Sequence, residues 1–167
     1  VVIGGTAAQR KQLQGLVKKI RNSGPKGKAF IESIEAAPRR TRIKIGETAW
    51  MSVGDSLKPE PIAVSRLGYA LVLGPLGNIR SVSGDNEVYM HPNILKAGAR
   101  IGTYIADDKT KQPWAPVTSF LHELGHVERM NAGESPDDQD IHISIRSVTN
   151  PIFKELKMKP VSNEGLP

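Results

Sequence analysis

His122 and His126 stand four residues apart, with Glu123 directly after the first, in the run VTSFLHELGHVERMNAG over 117–133. On an α-helix, positions i and i+4 lie one turn apart on the same face, so two imidazoles at this spacing can reach one metal ion. Imidazole nitrogen is a zinc donor. The carboxylate beside the first ligand falls on the flank of the site, where it can hold and deprotonate a water that the ion has acidified. One five-residue pattern, HExxH, thus supplies two ligands and a general base.

The spacing has this meaning only on a helix, and the flanking residues favour one. Pro116 precedes the run, Thr118 or Ser119 is placed to cap it, and Phe120, Leu121, Leu124 and Val127 form an apolar stripe at helical spacing. Gly133 is placed to stop it. Gly125 inside the motif costs about 1 kcal/mol of helix propensity relative to Ala, a cost that makes sense where another segment packs closely on the helix. The plainer alternative is a pair of surface histidines on an ordinary core helix.

A catalytic zinc takes three protein ligands plus water, so one ligand is still to be found. The chain has no cysteine, which leaves His, Asp and Glu. Downstream of the helix, Asp137, Asp138 and Asp140 form a carboxylate cluster behind Ser135-Pro136, although acids there also complement the dipole of a helix start. His142 is a further nitrogen within reach of the same turn, and Glu155 is a more distant acid. The residues alone leave these alternatives open. His91, before a proline in a turn, reads as structural. Tyr104 and His142 are the candidates for an oxyanion donor, and Tyr89 is expected to pack in a sheet.

The elements that must position these groups follow from periodicity. The spacing predicts a helix over 6–22, capped by Thr6 and burying Leu13, Leu16, Val17 and Ile20, then a break at 23–27 and a second helix over 28–37 around Phe30, Ile31 and Ile34. Alternation predicts strands over 41–45 and 87–90, with weaker strands over 50–53, 62–73 and 79–83. Val88 to Met90 is the strand expected to pair with a substrate backbone. Residues 98–114 read as a long loop near the cleft, with Trp114 walling the site or anchoring the loop. Ile141, Ile143 and Ile145 alternate with polar residues and predict an extended stretch, followed by a helix beginning at Thr149-Asn150-Pro151. Residues 163–167 are expected to fray.

With 167 residues and 38% hydrophobic content, the chain suits one domain over 1–167 with a real core. It begins Val1-Val2 with no leader-like segment, which reads as a piece of a longer protein, and it has no apolar run long enough to cross a bilayer. A net charge of +6 and a pI of about 9.7 raise the question of a polyanionic partner. The Lys and Arg residues are scattered, aromatics make up only 5%, and no base-reading motif is present, so a solvated basic surface is expected and a nucleic-acid partner is not.

Several stretches resemble one family, the effector-type HExxH zinc metallopeptidases. These are the NleD-like enzymes together with toxin domains of type VI secretion spike and Rhs proteins. IGGTAAQRKQLQGLVKKI with GKAFIESI is similar to that family's first helical pair, EVYMHP to its strand before the motif, FLHELGHVERMNAG to its active helix, and HISIRSVTNPIFKELKMKP to its closing segment. The resemblance implies zinc (Zn2+) on His122 and His126, with Glu123 as the catalytic residue. The family usually carries a Glu-Glu pair ahead of the closing segment, one of which is the third ligand. Asp137-Asp138 takes that place here, so the register implies Asp138 first and Asp140 second.

The sequence is therefore read as an α+β, zincin-like domain with an N-terminal helical pair, a small twisted and mostly antiparallel sheet, the HExxH helix and a short C-terminal helix. The expected activity is peptide-bond hydrolysis. The resemblance implies a secreted effector or toxin acting on a protein or peptide in a target cell, with an immunity protein as a further partner. Two rivals are a basic module binding nucleic acid or membrane around a structural metal, and a hydrolase of peptidoglycan peptides.

Overall fold

Thr6 opens the first helix through a reciprocal cap: its hydroxyl accepts the Gln9 N–H at 3.2 Å, and the Gln9 side chain accepts the Thr6 N–H at 2.9 Å. Helix α1 then runs Ala7–Arg21 and buries Leu13 and Ile20. The second helix starts earlier than the expected Lys28. Pro25 occupies its first turn, where a missing N–H costs nothing, and α2 runs Pro25–Ala36 with Phe30, Ile31 and Ile34 buried. This chain geometry comes from a computed structural model, which describes residues 2–45, 63–66, 86–90, 92–96, 102–134 and 139–163.

Gly24 caps α2 and has no side chain to accept the first N–H groups. Glu155, far away in sequence, takes their place. Its carboxylate accepts the backbone N–H groups of Lys26 and Gly27, each at 2.8 Å, and the Ser23 hydroxyl at 3.0 Å. Weighed from sequence as a distant metal ligand, Glu155 is instead the N-terminal cap of α2.

The strands are β1 Val2–Ile3, β2 Thr41–Ile45, β3 Ala63–Arg66 and β4 Asn86–Met90, in the order β1-β2-β4-β3. Strands β1 and β2 pair in parallel, as do β2 and β4, with Ile43 opposite Val88; β3 runs antiparallel to β4, with Ser65 opposite Val88. The expected antiparallel pairing therefore holds at β3–β4 but gives way to parallel pairing across β1–β2–β4. Helices α1 and α2 lie between β1 and β2 in sequence, and they supply the crossover that parallel strands need. Because β4 is paired on both sides, it cannot serve as the substrate-pairing edge expected of Val88 to Met90. Among the described residues, the edges are β1 and β3. The weaker strands expected over 50–53 and 79–83, and the parts of 62–73 beyond β3, lie outside the described residues, as does His91.

The stretch expected as a loop contains a hairpin, β5 Thr103–Ile105 antiparallel to β6 Lys111–Pro113. Two three-residue strands are too short to show a period. The C-terminal tail extends this ribbon: Val161 bridges Ala106, and the Ser162 N–H reaches the Ile105 carbonyl at 2.8 Å. Helix α3, Pro116–Asn131, packs on α4, Ile141–Glu155, and also on β3, α1 and α2. The extended stretch expected over Ile141 to Arg146 is thus helical, and Pro151, expected at a helix start, lies inside α4. Phe120, Leu121, Leu124 and Val127 are buried in one core with Ile20, Ile31, Ile43, Met90 and Ile152. No described helix is long and apolar enough to cross a membrane.

Burial raises the Glu155 carboxyl pKa, but the Lys26 and Gly27 amides, the Ser23 hydroxyl and the Lys26 charge outweigh it, leaving it below the ordinary value. A carboxyl with a depressed folded pKa stabilises the fold above its unfolded pKa and loses that contribution as pH falls through the folded one. Glu155→Ala is expected to lower unfolding free energy at pH 7 by about 1–2 kcal/mol in urea titrations, with the difference from wild type shrinking in acid. A difference that stays constant down to the acid limit of folding would assign the loss to packing rather than to the cap.

Candidate metal centre

Helix α3 is bounded by local chemistry. Its N-cap is Ala115, with Pro116 in the first turn. Thr118, expected as a cap, lies inside that turn and accepts the Ala115 N–H at 2.9 Å. At the other end Gly133, at φ 94°, lets its own N–H reach the Met130 carbonyl at 2.9 Å and the Glu134 N–H reach that of Arg129 at 3.1 Å. The sixteen residues between hold His122, Glu123 and His126 in helical register.

Helix α4 lies against the middle of this element at Gly125. A Cβ built at Gly125 would stand 2.7 Å from Ile145 Cγ2 and 2.9 Å from Thr149 Cγ2. That close approach is the reason a helix-weakening glycine sits inside the motif. It brings His142, one turn before Ile145 and Arg146, onto the α3 histidines.

The three imidazoles form a compact cluster. Ring centroids lie 5.1 Å apart for His122 and His126, 5.3 Å for His126 and His142, and 5.7 Å for His122 and His142, the last pair stacked at 11°. One ligating nitrogen from each lies within 4.8 Å of the others, so the group can hold a metal ion. A tetrahedral ion with bonds of about 2.1 Å needs nitrogens about 3.4 Å apart, a contraction that imidazole side chains reach by torsion.

Protonation favours the same reading. Burial pushes His122 down to about 3, with further lowering by His126, His142 and Arg146. Burial and then His142 push His126 down to about 4. His142 is lowered too, by burial first and Arg146 second. All three are therefore neutral at pH 7, the form that donates a lone pair to a metal.

Aromatic residues close one side. Trp114 stands edge-on to His122 at 5.8 Å and tilts against Tyr104 at 4.7 Å, so it both walls the cluster and anchors the hairpin. The Tyr104 hydroxyl donates to the Lys159 carbonyl at 2.6 Å, which removes Tyr104 as an oxyanion donor. Asp140 is the exposed N-cap of α4 and Glu155 caps α2, and neither joins the cluster. Asp137 and Asp138, the latter the first choice from the register, lie outside the described residues.

Among the described residues the side chain that joins the pair in a group able to hold a metal ion is His142, weighed from sequence only as an additional option. The signal that would have promoted it is the spacing of Ile141, Ile145, Thr149 and Ile152, all buried at helical intervals, while Ile143 is 49% exposed. Three alternating isoleucines masked it.

Two outcomes are expected. Gly125→Ala gains about 1 kcal/mol of helix propensity but loses more to the α4 contact, for a net destabilisation of about 1–3 kcal/mol by chemical denaturation; a more stable variant would mean α4 does not press on Gly125. His142→Ala is expected to weaken binding of divalent transition ions by at least about 100-fold in calorimetric titration, while Asp140→Ala stays within about threefold of wild type. The reverse order would move the third ligand to the acid cluster.

Comparison with family models, curated proteins and solved structures finds no match to this chain.

Proposed function

We propose that this chain is a zincin-like, zinc-dependent peptidase that hydrolyses peptide bonds, with His122, His126 and His142 as the metal ligands and Glu123 as general base. One observation carries the proposal: a nitrogen from a second helix meets the HExxH pair within 4.8 Å, completing a three-donor set next to the motif's own carboxylate. Three nitrogen donors with a remaining open position are the ligand count of a catalytic zinc; a closed structural site would use four.

When bound, zinc supplies a Lewis acid for the scissile carbonyl and a water whose pKa falls towards 7. Glu123 sits one residue after the first ligand and is half-buried, so it is held near the cluster yet open to substrate. It takes a proton from the water as the water oxygen bonds to the carbonyl carbon. It then returns the proton to the amide nitrogen as the C–N bond breaks, leaving a carboxylic acid and an amine. Strand β3, an edge among the described strands and packed beside α3, is the candidate to lay out the substrate backbone.

The stretches similar to effector-type HExxH metallopeptidases extend the proposal. They support a secreted toxin or effector delivered into a target cell, a protein or peptide substrate there, and an immunity protein as a partner.

Glu123→Gln tests the reading. The variant is expected to bind zinc and melt as wild type does, while hydrolysis of unfolded protein substrates falls by roughly 10^2- to 10^4-fold. Unchanged hydrolysis in a zinc-loaded variant would remove Glu123 as the base, and a wild type with no affinity for zinc would remove the peptidase reading altogether.

A further inference from the structure

Arg146 is 5% exposed and lies one turn after His142 on the face of α4 that meets α3. Its Nε donates to Asn163 Oδ1 at 3.1 Å and one terminal nitrogen donates to the Asn163 carbonyl at 3.4 Å. The other terminal nitrogen, Nη1, is buried with no hydrogen-bond partner. Among the described residues only two other buried side-chain polar atoms share that condition, Thr41 Oγ1 and Asn131 Nδ2. Thr41 pairs with Asn86 in the sheet and the Asn131 side chain accepts from that of Asn86, so both belong to a different part of the core. A charged N–H left without an acceptor in a dry interior is costly, more so than a neutral one.

We propose that Arg146 is a further catalytic residue of the peptidase inferred above: its Nη1 donates to the scissile carbonyl oxygen as that oxygen gains negative charge. The inference rests on the metallopeptidase reading. Of the oxyanion donors weighed from sequence, Tyr104 is committed to Lys159 and His142 to the metal set, whereas the Arg146 fork keeps a buried N–H unused. Proximity follows from the helix: Arg146 lies one turn after His142, whose ligating nitrogen meets those of His122 and His126.

Charge balance points the same way. Three neutral imidazoles cancel none of a dication's charge, and Arg146 adds another positive charge beside them. A site of that sign favours a ligand that becomes anionic, and the low dielectric around a buried donor strengthens the bond it makes. Asn163 accepts from Nε and the other terminal nitrogen, so its bonds leave Nη1 unused.

The experiment uses the full chain loaded with cobalt(II), whose visible spectrum reports ligands at the ion, and acetohydroxamate as a carbonyl-bearing anionic probe. Wild type, Arg146→Met, Arg146→Gln and Asn163→Ala are titrated with metal and then with probe. Both Arg146 variants are expected to bind cobalt at least as tightly as wild type, since a positive charge has left the neighbourhood of a dication. They are expected to bind acetohydroxamate roughly 10- to 100-fold more weakly, with Asn163→Ala within about threefold of wild type. Should Arg146→Met fail to fold, Arg146→Gln carries the comparison. Equal probe affinity in wild type and a folded Arg146 variant overturns the proposal. So does loss of cobalt affinity, or a loss of probe binding in Asn163→Ala as large as in Arg146→Met, either of which makes Arg146 a tie for the C-terminal tail. A wild type that takes up no cobalt instead removes the underlying metallopeptidase reading, a result separable from the others at the first titration.

Discussion

The contact between α3 and α4 at Gly125 is the constraint on which the site depends. Two histidines one turn apart are a local property of any helix, and they chelate weakly by themselves. The third nitrogen has to come from another element. Only a residue without a side chain lets Ile145 and Thr149 approach closely enough to carry His142 onto the pair. The glycine inside HELGH therefore does in packing what the histidines do in chemistry, and its loss of helix propensity is offset by the burial of Ile141, Ile145 and Ile152 across the contact.

That contact has to be held at both ends. Glu155, at the last turn of α4, grips the start of α2 through Ser23, Lys26 and Gly27, so the helix that delivers His142 is anchored to the N-terminal pair. Midway along, the Asn150 side chain exchanges two hydrogen bonds with Val161, each at 3.0 Å, and Arg146 binds Asn163. The tail so fixed continues the β5–β6 ribbon, which carries Trp114 to the edge of His122. Polar groups at helix ends and in the tail thus set the position of α4, while apolar burial supplies the force that keeps it there.

This division explains what the sequence revealed. The HExxH pair, the Thr6 cap, the two N-terminal helices and strands 41–45 and 87–90 are written in local spacing, and local spacing is legible. His142 was undervalued because Ile141, Ile143 and Ile145 satisfy a period of two over five residues, whereas the helical period shows only when Thr149 and Ile152 are included. Pro151 reinforced the error, since a proline usually marks a helix start and here sits within one. Parallel pairing of β2 with β4 and the capping role of Glu155 are long-range facts. No window of neighbouring residues contains both partners.

Electrostatics gives the arrangement its direction. Each histidine of the cluster is desolvated, so protonating any of them is unfavourable, and the neighbouring guanidinium adds to that cost at His122 and His142. The same surroundings that repel a proton also repel a dication, though less decisively, because a metal gains three coordination bonds where a proton gains one. What offsets this is negative charge, which the Glu123 carboxylate, one residue after His122, supplies on the flank. Under the peptidase reading proposed above, a centre of three neutral donors beside a cationic neighbour would favour an oxygen that gains negative charge over one that stays neutral, a preference that a carboxylate as third donor would weaken.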